Sequence, residues 1–459
     1  MRGRISASFF GDLLQSIADR GRTLLQSTNA RRMDAETRSE DFVELCEKLL
    51  SGRGEASGVA LARQILDKYA ELTTGPRIAF FEALAQRFGT DRARLEEAIA
   101  GWQNNPRDEA ASHLHEVAEP RRQELLRRLN LAPGGTAALV RMREQLLDAM
   151  DNRRDLAAVD GDFVHLFSSW FNRGFLVLRR IDWSTPANIL EKIIRHEAVH
   201  EIESWDDLRR RIDPPDRHCY AFFHPALVDE PLIFVEVALM DSIPSAIAPI
   251  LAAQRELLDP EQATTATFYS ISNCQRGLAG VSFGNFLIKQ VVDEISRDMP
   301  RLSHFVTLSP APGFAAWLRR ERTAETSPAL SGEDNAVLQA LDRDDWWRQP
   351  ETRAMLKEPL SRAAAWYFLY ARNRHGLPLD PVARFHLGNG ARLEQIDALA
   401  DDSDKGLRQS YGVMVNYLYD LADIEKNHEA YAASRIVAAS NAVRKLARVA
   451  PGEAAPFAS

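Results

Sequence analysis

Residues 267–314, TFYSISNCQRGLAGVSFGNFLIKQVVDEISRDMPRLSHFVTLSPAPGF, decide the fold of this chain. β-branched and aromatic residues alternate over 267–272, which predicts a strand. A glycine-rich turn follows at 276–280, the spacing of apolar residues predicts an amphipathic helix over 284–297, and a second strand is predicted over 305–308. Strand, loop and helix in this order are typical of a phosphate site, since glycines allow close backbone approach and a helix N-terminus presents free N–H groups.

Length and composition indicate a globular protein of two or three domains. The chain has 459 residues, and its 45% hydrophobic content is enough to build a sizeable core. A net charge of -8 argues against a dedicated nucleic-acid binder. No run of residues approaches the ~18 apolar residues of a membrane span. Three scattered cysteines, Cys46, Cys219 and Cys274, offer no metal or disulfide spacing, which favours reduced thiols in a cytoplasmic protein.

The first residues, MRGRISASFFGDLLQSIADRGRTLLQ, are rich in arginine and resemble an organellar transit peptide. However, an apolar residue recurs at every fourth position from Ile5 to Ile17, as in an amphipathic helix. Asp12 and Asp19 also interrupt the basic character. We therefore expect a helix of the mature protein, and a mitochondrial matrix location is less favoured than the cytoplasm. The last nine residues have the composition of a disordered tail.

The chain is predicted to fold as an α+β protein with two parts. Residues 1–170 show one apolar helical pattern after another and predict an all-α helical bundle, with Asp91 and Thr136 as helix N-caps. Residues 171–459 are predicted to form a second domain that mixes strands and helices. Strands are expected at 175–178, 219–223, 231–239 and 411–419. Helices are expected over 333–370, over 427–448 and from Pro186, where Ser184 or Thr185 would be the cap. Antiparallel strands followed by a loop–helix crossover suit an α+β sheet.

The sequence HEAVH at 196–200 matches the H-E-x-x-H zinc motif on a predicted helix. Two histidines four residues apart would share a helix face and could bind zinc, with Glu197 as general base. The metzincin form of the motif needs glycine at 203 and histidine at 206, where this chain has Glu203 and Asp206. The two histidines also continue the apolar stripe of that helix. We therefore interpret them as structural residues and predict no metal site.

The sequence GVSFG at 280–284 matches the G-x-S-x-G nucleophile elbow of α/β-hydrolases. In that elbow the strand runs directly into the turn, whereas about eight loop residues precede Ser282 here. The parallel strands of an α/β-hydrolase are also missing from the pattern. A hydrolase is therefore disfavoured.

Long strings of residues resemble the malonyl-CoA decarboxylase family, whose catalytic domain is built like the acyl-CoA N-acetyltransferases of the GNAT superfamily. These strings are FYSIS at 268–272, QRGLAG at 275–280, FLIK at 286–289, LSPAPGF at 308–314, PVARFHLGNGA at 381–391 and YGVMVNY at 411–417, with GFLVLRRIDW at 174–183 and EPLIFVEVAL at 230–239. The resemblance covers most of the chain from about Gly174 onward and, more loosely, the helical first third.

The resemblance implies which residues form the site. The string LSPAPGF carries the family's catalytic serine, here Ser309, and RFHLGNGA carries its catalytic histidine, here His386. Polar residues within the matched strings are further candidates for substrate binding: Ser270, Asn389, Tyr411, Asn416 and Tyr417. The glycine-rich loop implies a site for the CoA pyrophosphate, formed by Gln275, Arg276, Gly277, Leu278, Ala279, Gly280 and Val281. The acetyltransferase loop pattern is R/Q-x-x-G-x-G/A, and this loop departs from it, which implies a modified register.

The resemblance also implies the reaction, the cofactor-independent decarboxylation of malonyl-CoA to acetyl-CoA and carbon dioxide. Ser309 would orient the carboxylate and His386 would donate the proton, although the reverse division of roles stays open. No metal or organic cofactor is expected, because the thioester is itself the electron sink. The family also implies a homodimer or homotetramer assembled through the helical bundle, without nucleic-acid partners. Two alternatives remain: an acyl-CoA N-acetyltransferase of the same fold, or a non-enzymatic acyl-CoA-binding scaffold.

Overall fold

The computed structural model describes residues 38–52, 54–281 and 287–447, which form two compact units. The helical unit contains residues 38–177 together with 223–230 and 275–281, and the sheet unit contains the remaining described residues. The helix expected around residues 5–17, the tail expected over the last nine residues and Ser282 lie outside the described residues. No helix in the described part of the chain is long and apolar enough to cross a membrane.

From Arg38 to Trp170, the described part of the helical unit confirms the prediction of an all-α first third. Its helices are α1 (Arg38–Leu50), α2 (Glu55–Glu71), α3 (Thr74–Gln86), α4 (Arg92–Asn104), α5 (Asp108–Ala118), α6 (Arg121–Asn130), α7 (Gly135–Ala149) and α8 (Ala157–Trp170). Asp91 caps α4 as predicted, since its carboxylate accepts from the N–H groups of Ala93 and Arg94. The prediction that Thr136 caps α7 was wrong. Gly134 takes that position with φ +72°, and the Thr136 hydroxyl donates to Asn130 Oδ1 instead.

Phenylalanines from several helices form the core of the helical unit. Phe80, Phe81, Leu84 and Phe88 are each exposed by 2% or less within a single chain. The ring centroids of Phe42 and Phe80 lie 4.8 Å apart in an edge-on arrangement, which is favourable for aromatic pairs. These apolar side chains of α3 and of the turn after it are therefore covered within the chain, and they supply no surface for a second subunit.

The sheet unit contains one eight-stranded sheet. Its strands are β1 (Val177–Ile181), β2 (Arg217–Phe223), β3 (Pro231–Met240), β4 (Thr265–Asn273), β5 (His304–Thr307), β6 (Ser309–Pro310), β7 (Arg392–Asp397) and β8 (Met414–Leu418). The strand order is β1-β2-β3-β4-β5-β8-β6, and β7 also pairs with β8. β3 and β4 are antiparallel, whereas β4 and β5 are parallel, as a loop–helix crossover between them requires.

The helices of the sheet unit differ from the sequence prediction in the division of one helix and in the cap of another. They are α9 (Ala187–His196), α10 (Trp205–Ile212), α11 (Ala248–Leu251), α12 (Leu287–Asp298), α13 (Phe314–Thr323), α14 (Gly332–Leu338), α15 (Pro350–Tyr370), α16 (Pro381–Gly388), α17 (Asp404–Ser410), α18 (Ile424–Ser434) and α19 (Asn441–Leu446). The single helix predicted over 427–448 is divided in two, because Arg435 adopts φ +57° and ends α18. Ser184 and Thr185 do not cap α9. Both bond Asp182, and Pro186 occupies the cap position.

Two predicted strands are also displaced. The strand expected over 175–178 begins at Val177, because the backbone N–H of Phe175 bonds the carbonyl of Asn172 in a turn. The strand expected over 411–419 begins at Met414, because Tyr411 ends α17 with φ +51°. The strands over 217–223, 231–240, 265–273 and 304–307 are confirmed.

Pairing between β4 and β5 ends where the candidate serine begins. Phe268 and Thr307 are the last residues in register, and the N–H of Leu308 still donates to the carbonyl of Phe268. Ser309 then pairs with Val415 of β8, so that the chain after β5 continues along a different neighbour. The edge of β4 beyond Phe268 is therefore not paired with the segment that carries Ser309.

Candidate active site

Ser309 and His386, which lie 77 residues apart in sequence, meet in the interior of the sheet unit. The Oγ atom of Ser309 lies 3.1 Å from Nε2 of His386. Ser309 is only 6% exposed and His386 only 2% exposed. A contact of this length between a hydroxyl and an imidazole is a hydrogen bond, and in a buried position it is little disturbed by water.

Two different elements bring this pair together. Ser309 is the first residue of β6 and follows β5 after one residue, so the sheet fixes its backbone. His386 lies in the last turn of α16, whose N-terminus is capped by Asp380. The carboxylate of Asp380 accepts from the N–H groups of Val382 and Ala383 at 2.9 Å each. Such a cap stabilises a short helix by roughly 1 kcal/mol.

A chain of hydrogen bonds continues on both sides of the pair. The Ser309 hydroxyl donates to Oγ1 of Thr307 at 2.8 Å, and Thr307 also accepts from the N–H of Tyr417 at 3.3 Å. On the other side, Nδ1 of His386 lies 2.8 Å from the hydroxyl of Tyr419. Because the Ser309 hydroxyl donates its proton to Thr307, the Ser309 oxygen is the acceptor in its hydrogen bond with His386, and Nε2 carries the proton of that bond. Nδ1 then accepts from Tyr419.

Burial decides the charge of this site. It lowers the pKa of His386 from its usual 6.5 to about 3, because an imidazolium in an apolar interior loses its hydration. Burial also raises the pKa of Tyr419 well above its usual value. The ring of Tyr417 stacks on His386 with centroids 4.6 Å apart and covers one imidazole face. The histidine is therefore neutral at physiological pH and the tyrosine keeps its proton.

Thr307 and Tyr419 are functional candidates that the sequence analysis missed. Thr307 lies two residues before Ser309 on an extended segment, so both hydroxyls point to the same face of the sheet. Tyr419 lies two residues beyond Tyr417 and follows β8 directly. Strand periodicity was the available signal in both cases, but a threonine in a strand is too common to single out.

Ser270 is bound to Glu197 of the HEAVH sequence and not to the serine–histidine pair. Its hydroxyl donates to the Glu197 carboxylate at 2.7 Å, and Ser272 donates to the same carboxylate at 3.1 Å. Glu197 also accepts from the N–H groups of Val199 and His200. A carboxylate with this many donors is fully occupied and holds the loop after α9 against β4.

The helix predicted to carry the HEAVH motif ends at His196, so the expected shared face does not exist. Glu197 is extended, and His200 lies in the loop beyond it. His200 is buried with a pKa lowered to about 3. Among the described residues, no group of three or more histidine, cysteine, aspartate or glutamate side chains is arranged to hold a metal ion.

The remaining polar candidates of the sheet unit make structural contacts. Asn416 donates to Asp397 at 2.6 Å and to the carbonyl of Pro244 at 3.0 Å. Asn389 follows α16 and donates to the carbonyl of Phe385 at 2.7 Å. Tyr411 ends α17, and its ring contacts Trp346. Their roles in substrate binding stay predictions.

The loop expected to hold the CoA pyrophosphate belongs to the helical unit. Of residues 277–281, four already use their N–H groups as donors: Gly277 to Glu144, Leu278 to Gln275, Ala279 to Arg276 and Val281 to Leu278. A Cβ atom on Gly277 would lie 2.1 Å from the carbonyl oxygen of Val140, so this glycine permits close approach of a helix. Arg276 pairs with Asp148. Phosphate binding by this loop stays a prediction. The close approach of Val140 explains Gly277 by packing.

Comparison with known proteins gives consistent matches over most of the chain. The family model described as the malonyl-CoA decarboxylase C-terminal domain matches residues 174–455, and the model of the N-terminal domain matches residues 88–171. A protein of Anser anser anser named mitochondrial malonyl-CoA decarboxylase is 36% identical over 412 residues, 82% of this chain and 81% of that protein. The Mus musculus protein of the same name is 35% identical over 399 residues, 79% of this chain and 80% of that protein.

Two solved structures extend the similarity to the fold. The crystal structure of malonyl-CoA decarboxylase from Rhodopseudomonas palustris is 58% identical, with a TM-score of 0.86 over 89% of this chain and 99% of that one. The corresponding structure from Cupriavidus metallidurans is 34% identical, with a TM-score of 0.73 over 90% of this chain and 100% of that one.

Proposed function

The chain belongs to the malonyl-CoA decarboxylase family, and from that premise we propose that Ser309 and His386 carry out the family's reaction, the conversion of malonyl-CoA to acetyl-CoA and carbon dioxide. The observation that supports this assignment most is the 3.1 Å contact between Ser309 Oγ and His386 Nε2. The two residues come from separate strings that resemble the family's catalytic segments. Both are buried, which is unusual for a pair of polar side chains without a catalytic or structural purpose.

Loss of carbon dioxide places negative charge on the thioester enolate. The site must hold the carboxylate out of the thioester plane, stabilise the enolate oxygen and return a proton to the carbon. A hydrogen-bond donor aimed at the developing oxyanion contributes about 3–4 kcal/mol to lowering the barrier. The thioester accepts the electron pair of the broken C–C bond. In this step the protein therefore positions the substrate and supplies hydrogen bonds.

We assign Ser309 to the malonyl carboxylate. Its proton now points to Thr307 at 2.8 Å, and rotation about one bond redirects it toward a bound carboxylate. The proton on His386 Nε2 keeps the serine oxygen oriented while this rotation occurs. Thr307 remains anchored by the N–H of Tyr417. Thr307 and His386 thus fix the position of the Ser309 oxygen, while the hydroxyl proton of Ser309 can rotate toward the substrate.

We assign His386 to the protonation of the enolate carbon. The neutral imidazole gives its Nε2 proton to the enolate carbon, which forms the new C–H bond, and the imidazolate that is left takes a proton from water before the next turnover. Tyr419 holds Nδ1 from behind, which fixes the ring orientation and the tautomer. The reverse division of roles, in which Ser309 delivers the proton, uses the same contacts.

Incubation of the protein with malonyl-CoA in the absence of any amine tests the proposed function. We expect acetyl-CoA and carbon dioxide to form in equal amounts and with multiple turnovers. An N-acetyltransferase would need an amine acceptor, and an acyl-CoA-binding scaffold would bind malonyl-CoA without releasing carbon dioxide. Dependence on an added amine, or binding without turnover, would contradict the decarboxylase assignment.

The charge of His386 gives a prediction about pH. Because burial lowers its pKa to about 3, the folded protein should keep this imidazole neutral as the pH falls from 8 to 5. In protein labelled at histidine, the imidazole signal that His386→Asn removes should therefore not shift over that range. A titration of that signal with a midpoint near 6.5 would show that the ring is charged in the free enzyme.

We also propose that catalysis needs no metal ion. The motif that suggested zinc is broken by the end of α9 at His196, and Glu197 is occupied by serine hydroxyls. Protein purified without chelator should contain no stoichiometric zinc, and EDTA should leave kcat unchanged. If His196→Ala removed both a bound metal and activity, the zinc interpretation of this segment would be correct.

Self-association through the helical unit remains part of the proposal. Its support is the family resemblance, since Phe80, Phe81, Leu84 and Phe88 are covered within one chain. Light scattering at micromolar concentration should give two or four times the chain mass of 51.6 kDa. A mass near 51.6 kDa would leave the helical unit as a module that packs only within its own chain.

We propose a cytoplasmic location, supported by three buried cysteines that form no disulfide bond among the described residues. The animal relatives are named mitochondrial, and the mitochondrial matrix is therefore the alternative. A fluorescent fusion of the full chain, expressed in its own host cells, distinguishes the two.

A further inference from the structure

The hydroxyl of Tyr367 occupies the space beside Gly313, four residues after Ser309 in the string LSPAPGF. A Cβ atom added to Gly313 would lie 2.7 Å from the Tyr367 oxygen, closer than real Cβ contacts allow. The next nearest atom of the same side chain, Cζ, would lie 4.0 Å away, an ordinary contact. The backbone of Gly313 has φ -96° and ψ -10°, which any residue can adopt. The hydroxyl oxygen of Tyr367 is therefore the atom that leaves no room for a side chain at position 313.

The same hydroxyl also contacts the helix that carries His386. It donates to Oδ2 of Asp380 at 3.3 Å, while Oδ1 of Asp380 caps α16. Tyr367 and Asp380 are each only 1% exposed. A single buried oxygen thus touches the segment after Ser309 on one side and the N-cap of the His386 helix on the other.

The surroundings of Tyr367 prevent its ring from moving aside. Tyr367 lies near the end of α15, the longest helix in the described part of the sheet unit. The centroid of its ring lies 5.5 Å from that of Phe314 and 5.0 Å from that of Trp317. Phe314 directly follows Gly313, so the tyrosine contacts two consecutive residues of that segment. Close-packed aromatic rings have few alternative positions, and a clash here must displace the backbone instead.

We propose that Tyr367 is a positioning residue that sets the distance between Ser309 and His386, with Gly313 retained because the tyrosine hydroxyl fills the place of its side chain. This inference rests on the proposed function of the Ser309–His386 pair. Tyr367 itself touches neither catalytic side chain. It acts by holding the two backbone segments that present them, and misplacement of a reacting group by about 1 Å can cost a factor of 10² in rate.

A pair of compensating substitutions tests the proposal. Gly313→Ala should lower kcat for malonyl-CoA by about 10²-fold with little change in KM, because the new methyl group displaces the Ser309 segment. Tyr367→Phe removes only the hydroxyl and one hydrogen bond to Asp380, and should lower kcat by about two- to fivefold. In the double variant the Cβ atom meets no oxygen, so kcat should return to within about tenfold of wild type.

The matched controls are Gly332→Ala, where a Cβ would meet nothing within 4 Å, and Tyr370→Phe on the same helix as Tyr367. Both should keep wild-type kcat. If Gly313→Ala is too unstable to assay, recovery of soluble, active protein in the double variant is the same rescue. If neither can be assayed, unchanged kcat in Tyr367→Phe overturns the proposal, and a lowered kcat with unchanged KM supports it.

Three results overturn the inference: wild-type kcat in Gly313→Ala, no rescue by Tyr367→Phe, or rescue that restores thermal stability but not kcat. These outcomes differ from failure of the proposed function. That failure would show as near wild-type turnover in variants of Ser309 or His386 themselves, whatever the behaviour of Gly313 and Tyr367.

Discussion

His386→Asn is expected to lower kcat for malonyl-CoA by about 10²–10⁴-fold, the usual contribution of a positioned proton-transfer group. Asparagine occupies a similar volume and can still bond either Ser309 or Tyr419, so the fold should persist. Its amide cannot supply an imidazole proton to a carbanion. Because the side chain is 2% exposed and contacts substrate only at the reacting carbon in our assignment, KM should stay close to wild type.

His304→Asn is the matched control for this variant. His304 lies at the start of β5 on the same sheet, is exposed, and its ring bonds the neighbouring Ser303. Steady-state kinetics on both variants, with circular dichroism to confirm folding, decides the outcome. Turnover within threefold of wild type in well-folded His386→Asn would remove this histidine from the mechanism.

Ser309→Ala should produce a loss of comparable size, about 10²–10⁴-fold in kcat. The substitution deletes the oxygen that lies between Thr307 and His386 and leaves both without their partner. It removes very little volume, so stability should fall only slightly. If serine orients the carboxylate, substrate still binds through its CoA portion but the carboxylate is no longer held in the reactive direction.

The effects of the two substitutions should not add. Residues that act as one unit show losses in combination close to the larger single loss. Ser303→Ala, on the exposed segment before β5, provides the serine control. A double variant whose kcat falls by the product of the two single losses would indicate that Ser309 and His386 act in separate steps. Near wild-type turnover in well-folded Ser309→Ala would exclude Ser309 from the mechanism.

Strands were predicted well where burial makes the local pattern strong. β2, β3, β4 and β5 are each within about two residues of their predicted limits, because buried sheet strands are continuous runs of β-branched and aromatic residues. β7 was missed, since the charged and amide residues of RLEQID hide its alternation. Local periodicity also predicted the crossover from β4 through α12 to β5.

Helix ends were predicted less well, because single residues decide them. The apolar stripe of α9 continues through HEAVH, but Glu197 turns away to bond Ser270 and Ser272 on β4. That competing contact lies 73 residues along the chain and leaves no local signal. In the same way Arg435 takes a left-handed conformation in the middle of a helix-compatible pattern and divides α18 from α19.

The hydrogen-bond partners of Ser309 and His386 could not be read from the sequence for the same reason. Ser309 and His386 were identified by resemblance, which marks residues but not their distances. The contact of Thr307 with the N–H of Tyr417 spans 110 residues and depends on β5 and β8 being neighbours in the sheet. Tyr419 approaches His386 because the imidazole lies against the rings of Tyr417 and Tyr419 at the end of β8. Such contacts follow from the sheet order and not from local spacing.

The central claim is that the malonyl carboxylate binds at the Ser309–His386 pair, and a structure of the protein with an unreactive malonyl-CoA analogue tests it most directly. We predict a carboxylate oxygen within about 3 Å of Ser309 Oγ, with the α-carbon on the side of His386 Nε2. A carboxylate bound elsewhere, for example in place of the Glu197 contacts of Ser270, with the Ser309–His386 hydrogen bond still closed at 3.1 Å, would contradict the assignment.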